Sequence, residues 1–134
     1  MKKSVLMAAL ILALFASCNK TDNASKWAGT YVGTVGSAIN QIVITEVDKS
    51  TVQMQLQTPY NGSFVTFVTI KGAKLSDATD AVVNENGNIL PDVTTLYHFS
   101  GTAILNGNAL SFLGGAVCTT DSTNTKSYSF NGSK

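Results

Sequence analysis

Apolar and polar side chains alternate along most of this chain with the period of two that a half-buried β-strand produces. The cleanest run is Thr51 to Gln57, with Val52, Met54 and Leu56 on one face and Thr51, Gln53, Gln55 and Gln57 on the other. Upstream, Trp27, Tyr31 and Val35 share one face of a segment from Trp27 to Val35, with Gly29 and Gly33 between them. Glycine inside a strand marks a bend or a close backbone approach. Gln41 to Val47 predicts a second strand, apolar on both faces, and Asp48-Lys49-Ser50 supplies turn chemistry after it. Thr58-Pro59-Tyr60-Asn61-Gly62 predicts the next turn, and Phe64 to Ile70 the returning strand. Between Gly72 and Asp92 the pattern weakens to one short strand and a long loop. Alternation resumes from Thr94 to Leu105, and Asn106-Gly107-Asn108 is a hairpin turn answered by Ala109 to Leu113. Gly114-Gly115 leads to a strand at Val117-Cys118, and Thr119 to Thr125 is a polar loop. Lys126 to Asn131 closes the pattern, with Tyr128 and Phe130 on one face.

About eight antiparallel strands result, and nothing after Ala16 carries a helical period. An open sheet of that size leaves two edges with unpaired backbone groups, and closure removes them. The expected fold is therefore all-β, an antiparallel meander closing into a barrel, with a sandwich as the alternative. Closure requires the first and last strands to meet.

The first residues follow a different rule. Lys2 and Lys3 precede an unbroken apolar run from Val5 to Ala16, and Ala16-Ser17 places two small residues before Cys18. That order is a secretory signal peptide. Its apolar run is shorter than the roughly 20 residues that span a bilayer. Phe15-Ala16-Ser17-Cys18 resembles the lipobox of bacterial lipoproteins, which implies cleavage before Cys18 and lipidation of that cysteine. An ordinary signal peptide that leaves Cys18 as a plain thiol is the alternative. The resemblance divides the chain into a signal peptide (1–17), a polar tether (18–26) and one folded domain (27–134). Two or three acyl chains on one cysteine, at about 0.8 kcal/mol per buried methylene, make a stable anchor. Asn19 after the cysteine points to the outer membrane, with the domain facing the periplasm or the cell surface. Lys20 and Asp22 resemble signals that send some lipoproteins to the surface. With Cys18 acylated no intrachain disulfide can form, and Cys118 is expected to be buried.

Trp27-Ala-Gly29-Thr30-Tyr31-Val-Gly33-Thr34, followed by a meander, resembles the opening of small calycin-like lipoproteins of Gram-negative bacteria. The segment from Phe99 to Phe112 is similar to their late hairpin, and Gly29-x-Tyr31 to the Gly-x-Trp of lipocalins. This lipocalin-like resemblance implies a barrel and an exported location.

Composition narrows the chemistry. Nine lysines stand against eight acidic residues and there is no Arg, so the basic footprint of a nucleic-acid binder is missing. Catalysis finds little support. His98 is the only histidine and falls mid-strand, where a half-buried structural role is expected. No Gly-x-Ser-x-Gly elbow exists, and Glu46 and Glu85 make no close carboxylate pair. No Cys/His cluster has zinc spacing, and no cofactor is expected. Asp77, Asp80, Asn84, Glu85, Asn86 and Asn88 offer calcium-type oxygens, although loops normally have this makeup. Asp121-Ser122-Thr123 resembles a bacterial O-glycosylation acceptor.

The candidate ligand-binding residues are apolar. Trp27, Tyr31, Met54, Tyr97, Phe99, Phe112, Tyr128 and Phe130 fall on alternating strand positions that one lumen would collect. An eight-stranded barrel is just wide enough for one small molecule or for its own side chains. Two functions follow. One is a monomeric, membrane-anchored, non-catalytic barrel that binds a small hydrophobic ligand or a glycan fragment. The other is a surface or periplasmic interaction domain with a solid core. A cavity would favour the first, and a packed lumen with an exposed apolar patch the second.

Overall fold

Alternation does organise the chain. The computed structural model describes residues 21–34 and 38–134, so the signal peptide, Cys18 and Val35 lie outside the described residues. A short helix α1 (Ala24–Trp27) precedes eight strands. These are β1 (Gly29–Gly33), β2 (Gln41–Asp48), β3 (Thr51–Tyr60), β4 (Ser63–Leu75), β5 (Asp80–Gly87), β6 (Tyr97–Asn106), β7 (Ala109–Cys118) and β8 (Thr125–Ser133). Each pairs antiparallel with its neighbours in chain order, and β1 pairs with β8 through Val32↔Ser133 and Gly33↔Gly132. The closed barrel is the expected meander, compatible with a calycin-like fold.

Inward positions are apolar and carry the core. Val52, Met54 and Leu56 are buried, with Ile42 and Ile44 of β2 and Val68 and Ile70 of β4 beside them. On the outside, Gln41, Gln57 and Thr66 form a side-chain ladder across β2, β3 and β4. Gln41 Nε2 donates to Gln57 Oε1 at 2.8 Å, and Gln57 Nε2 to Thr66 Oγ1 at 3.1 Å. Thr51 departs from expectation, being buried rather than outward-facing. Its hydroxyl accepts from Lys74 Nζ, on the residue paired with it in β4, at 3.1 Å.

Two glycine pairs let the aromatic rings lie flat on the wall. A methyl at Gly114 would sit 2.8 Å from Phe112 Cζ, and one at Gly101, its partner across the ladder, 2.7 Å from Gly114 Cα. At the closing seam, methyls at Gly33 and Gly132 would meet Phe130 at 2.6 and 2.5 Å. The rings cover backbone that no side chain protects, as aromatic residues do beside sheet glycines. Gly114-Gly115 is therefore interior to β7 and is no break before a separate strand.

Other departures have local causes. Trp27 belongs to α1 and Ala24 is buried, so the last part of the expected tether is packed onto the barrel. Backbone N–H groups of Asn23 and Ala24 both donate to Lys49 O at 3.2 Å. The β3–β4 turn is two residues, Asn61 (φ 50°) and Gly62 (φ 79°), the backbone of a tight hairpin. Pro59 stays in β3 because β2 stops at Gln41↔Gln57, so no neighbour there needs its missing N–H. The stretch from Gly72 to Asp92 holds more strand than its pattern predicts: β4 runs to Leu75 and β5 is eight residues long. Glu85 and Gly87 occupy inward parity on β5 and hide its period.

Candidate functional site

The two ends of the barrel differ in chemistry. At the tether end, α1 lies across the opening and is fixed by several polar contacts. Trp27 Nε1 donates to Ala78 O at 3.0 Å, and Tyr31 Oη to Trp27 O at 2.8 Å. Lys134 Nζ donates to the carbonyls of Lys26 in α1 and Ala28 just after it, at 2.9 and 3.0 Å, and lies 5.2 Å from the Tyr31 ring centre. Cations suit a helix C-terminus and an aromatic face for electrostatic reasons. Trp27 and Tyr31 thus serve as the plug.

Mid-barrel, Met54, Phe99, Phe112 and Phe130 are buried members of one hydrophobic cluster. Tyr97 and Tyr128 stand nearer the other end. The Tyr97 ring lies 6.5 Å from Phe99, and Tyr128 6.0 Å from Phe67. Burial pushes the Tyr128 phenol above its usual range, with Tyr97 adding to the effect. Tyr97 Oη accepts from Asn124 Nδ2 at 3.1 Å. Cys118 is buried as expected, and its Sγ lies 3.4 Å from Thr120 Oγ1, a hydrogen bond that lowers the thiol below its usual range. All eight residues expected to face one interior are buried there.

The loop end is stitched together and apolar outside. Thr119 N and Oγ1 both donate to Leu96 O, at 2.9 and 3.1 Å, and Leu90 N donates to Phe67 O at 2.8 Å. Half of the large apolar side chains that stand exposed among the described residues gather here: Tyr60, Phe64, Val65, Leu90, Val93 and Leu96.

A second feature lies in the wall. Strands β4 and β5 pair only at Lys74↔Val82 and Leu75↔Ala81, although both run on toward the loop end. Where they splay, the Glu85 carboxylate replaces the ladder, accepting the N–H groups of Lys71 and Gly72 at 2.9 and 2.8 Å. Between that patch and the Leu90–Phe67 bond, a cleft of about 330 Å³ opens on the outside. Thr69, Lys71, Asn86, Gly87, Asn88, Leu90 and Leu96 line it. Sequence reasoning missed this cleft, because strand splay leaves no periodic signal.

The oxygen-rich residues do not converge. Asp77 and Asn88 flank the ends of β5, whose eight residues span about 26 Å at 3.3 Å each. Among the described residues, no three His, Cys, Asp or Glu side chains gather as metal ligands would. His98 is exposed, not half-buried, and its Nδ1 lies 2.8 Å from Asn86 Oδ1 across the β5–β6 ladder. The parity of β6 puts Tyr97 and Phe99 inside and His98 outside.

Four loops share a device that the sequence displays as Asp-x-Ser or Asp-x-Thr. In each, an Asp Oδ1 accepts the N–H two residues on: Asp48 from Ser50, Asp77 from Thr79, Asp92 from Thr94 and Asp121 from Thr123, at 2.7–3.0 Å. All four carboxyls are held below the usual range. The leading causes are the backbone N–H groups of Ser50 and Thr79 and the hydroxyls of Thr95 and Thr123. A depressed folded-state pKa gives stability that is complete above the unfolded value, about 3.9, and fades as pH falls through the folded one. The melting temperature should therefore hold from neutrality to about pH 5 and drop below about pH 4. Asp92→Asn should flatten that acid-side drop; an unchanged slope would show that these turns do not set it.

No protein-family profile, curated protein or solved structure matches this chain. Its class is defined by fold alone: a closed, eight-stranded antiparallel meander barrel plugged at the end where the chain enters.

Proposed function

We propose that this protein is exported, anchored to the outer membrane through lipidated Cys18, and acts as a monomeric, non-catalytic recognition module. Its loop end, facing the periplasm or the surface, docks a protein partner. The observation that carries this reading is the contrast between the lumen and that rim. Inward aromatic rings are laid onto wall glycines and stay buried, so they serve the core rather than a lumenal ligand. Exposed apolar side chains instead collect at the end away from the plug, where an anchored domain would present them, and clustered apolar exposure marks interaction sites.

Site-specific photo-crosslinking in the native host tests it. A crosslinking residue at Val93 should trap a discrete protein adduct, while one at Val47, near the plugged end and similarly exposed (69% against 56%), should not. Equal adducts from both positions would overturn the docking assignment. In the same cells, Cys18→Ser should abolish labelling with a fatty-acid probe and release the protein from membranes. Retained labelling would overturn the anchor.

A further inference from the structure

We propose that the cleft at the β4–β5 splay binds a small saccharide. This inference rests on the cleft, which shares Leu90 and Leu96 with the docking rim, and its test uses free sugars with no protein partner present. The volume, about 330 Å³, falls within the 300–1,000 Å³ of small-molecule sites, near the lower bound. One sugar ring or two suits that size better than a lipid or a peptide.

The polar lining is oriented before any ligand arrives. Asn86 Oδ1 accepts from His98 Nδ1 at 2.8 Å, which leaves its Nδ2 as a donor. Asn88 spends its Nδ2 on the carbonyls of Val93 and Thr95, at 3.3 and 2.8 Å, which leaves its Oδ1 as an acceptor. The two amides thus offer opposite hydrogen-bonding character beside each other, and their partners hold both in place. Thr69 adds a hydroxyl that donates and accepts. Lys71 adds an ammonium that has no ion-pair or hydrogen-bond partner among the described residues.

That mixture fits vicinal hydroxyl groups, since each sugar hydroxyl both donates and accepts. It fits a simple anion less well. The cleft holds a single charged lining residue, Lys71. It also lacks the all-acceptor lining that a metal ion needs. Leu90 and Leu96 complete the cleft with apolar surface, against which the C–H face of a sugar ring can rest. Preorganised polar groups beside an apolar wall are the usual composition of a small-ligand site. Leaving any of them unpaired against a deoxygenated analogue would cost affinity, so the site discriminates by hydroxyl pattern.

Saturation-transfer NMR on the full-length protein, held in a zwitterionic detergent without a sugar headgroup, tests this. The probes are glucose, galactose, mannose and N-acetylglucosamine, each titrated to about 0.1 M to reach weak single-site affinities. The expected result is saturable transfer to the ring protons of at least one of them. The Thr69→Val/Lys71→Met double variant should reduce that affinity at least about tenfold, a loss of about 1.4 kcal/mol. Both positions lie on the outer face, and an unchanged thermal melt of the variant confirms its fold. A Val47→Ser control at the tether end should leave binding as it is. Absence of saturable transfer from every sugar, or equal transfer in the folded double variant, overturns the proposal.

Discussion

A chain that ends at Thr125 should not fold. Residues 126–134 supply most of β8, which pairs with β7 from Ala109↔Ser133 to Val117↔Thr125 and with β1 at Val32 and Gly33. Removing them strips Tyr128 and Phe130 from the core and uncovers Gly33, which Phe130 shields. It also removes Lys134, the clasp that ties the C-terminus to α1 and Tyr31. Losing one large buried aromatic costs about 3–5 kcal/mol, and a domain of this size holds about 5–15 kcal/mol in total. Two aromatics, a cation clasp and nearly a whole strand together exceed that margin. The long β7 edge left behind would then invite aggregation. Circular dichroism against temperature decides the matter. A truncated protein melting cooperatively near the full-length temperature would show that closure is dispensable.

Leu56→Ala should cost about 2–5 kcal/mol, because the side chain is buried at the centre of three adjoining strands. Its neighbours Met54, Ile42 and Val68 are themselves immobilised by the barrel and cannot collapse into the space. Gln55→Ala, one position along the same strand, should stay within about 0.5 kcal/mol, since its side chain points outward and anchors nothing. Urea denaturation of the two variants measures the contrast. Comparable losses at both positions would mean that the burial register of β3 is not the one described.

That contrast was legible in the alternation of Val52, Met54 and Leu56 against glutamines, as were the antiparallel meander and its closure, though not the extents of β5 and β7. Antiparallel strands joined by short turns pair with their sequence neighbours, so local pattern and topology agree here. The hairpin at Asn106-Gly107-Asn108 and the burial of Cys118 could be read in the same way. The four Asp-x-Ser/Thr turns were equally present in the sequence, as side-chain acceptors two residues before their donors, and could have been found by that spacing. Thr51 could not, because its hydroxyl is partnered by Lys74 on another strand.

By itself, then, the sequence determined most of the strands, their order, the inward faces of the regularly alternating ones and the turn residues, since each depends on a period or a spacing within a few neighbouring positions. Tertiary structure decided what depends on distant segments meeting. Trp27 became part of a helical plug because Ala78 and Lys134 offered it and its neighbours partners across the barrel end. Aromatic residues from separate strands joined one buried cluster, where rings of Phe112 and Phe130 cover glycine backbone on adjacent strands. The β4–β5 splay and its cleft exist because Glu85 satisfies two backbone donors that a regular ladder would have taken. A carboxylate substituting for a strand is a relation between segments 13 residues and more apart, and no local pattern of apolar and polar positions encodes it.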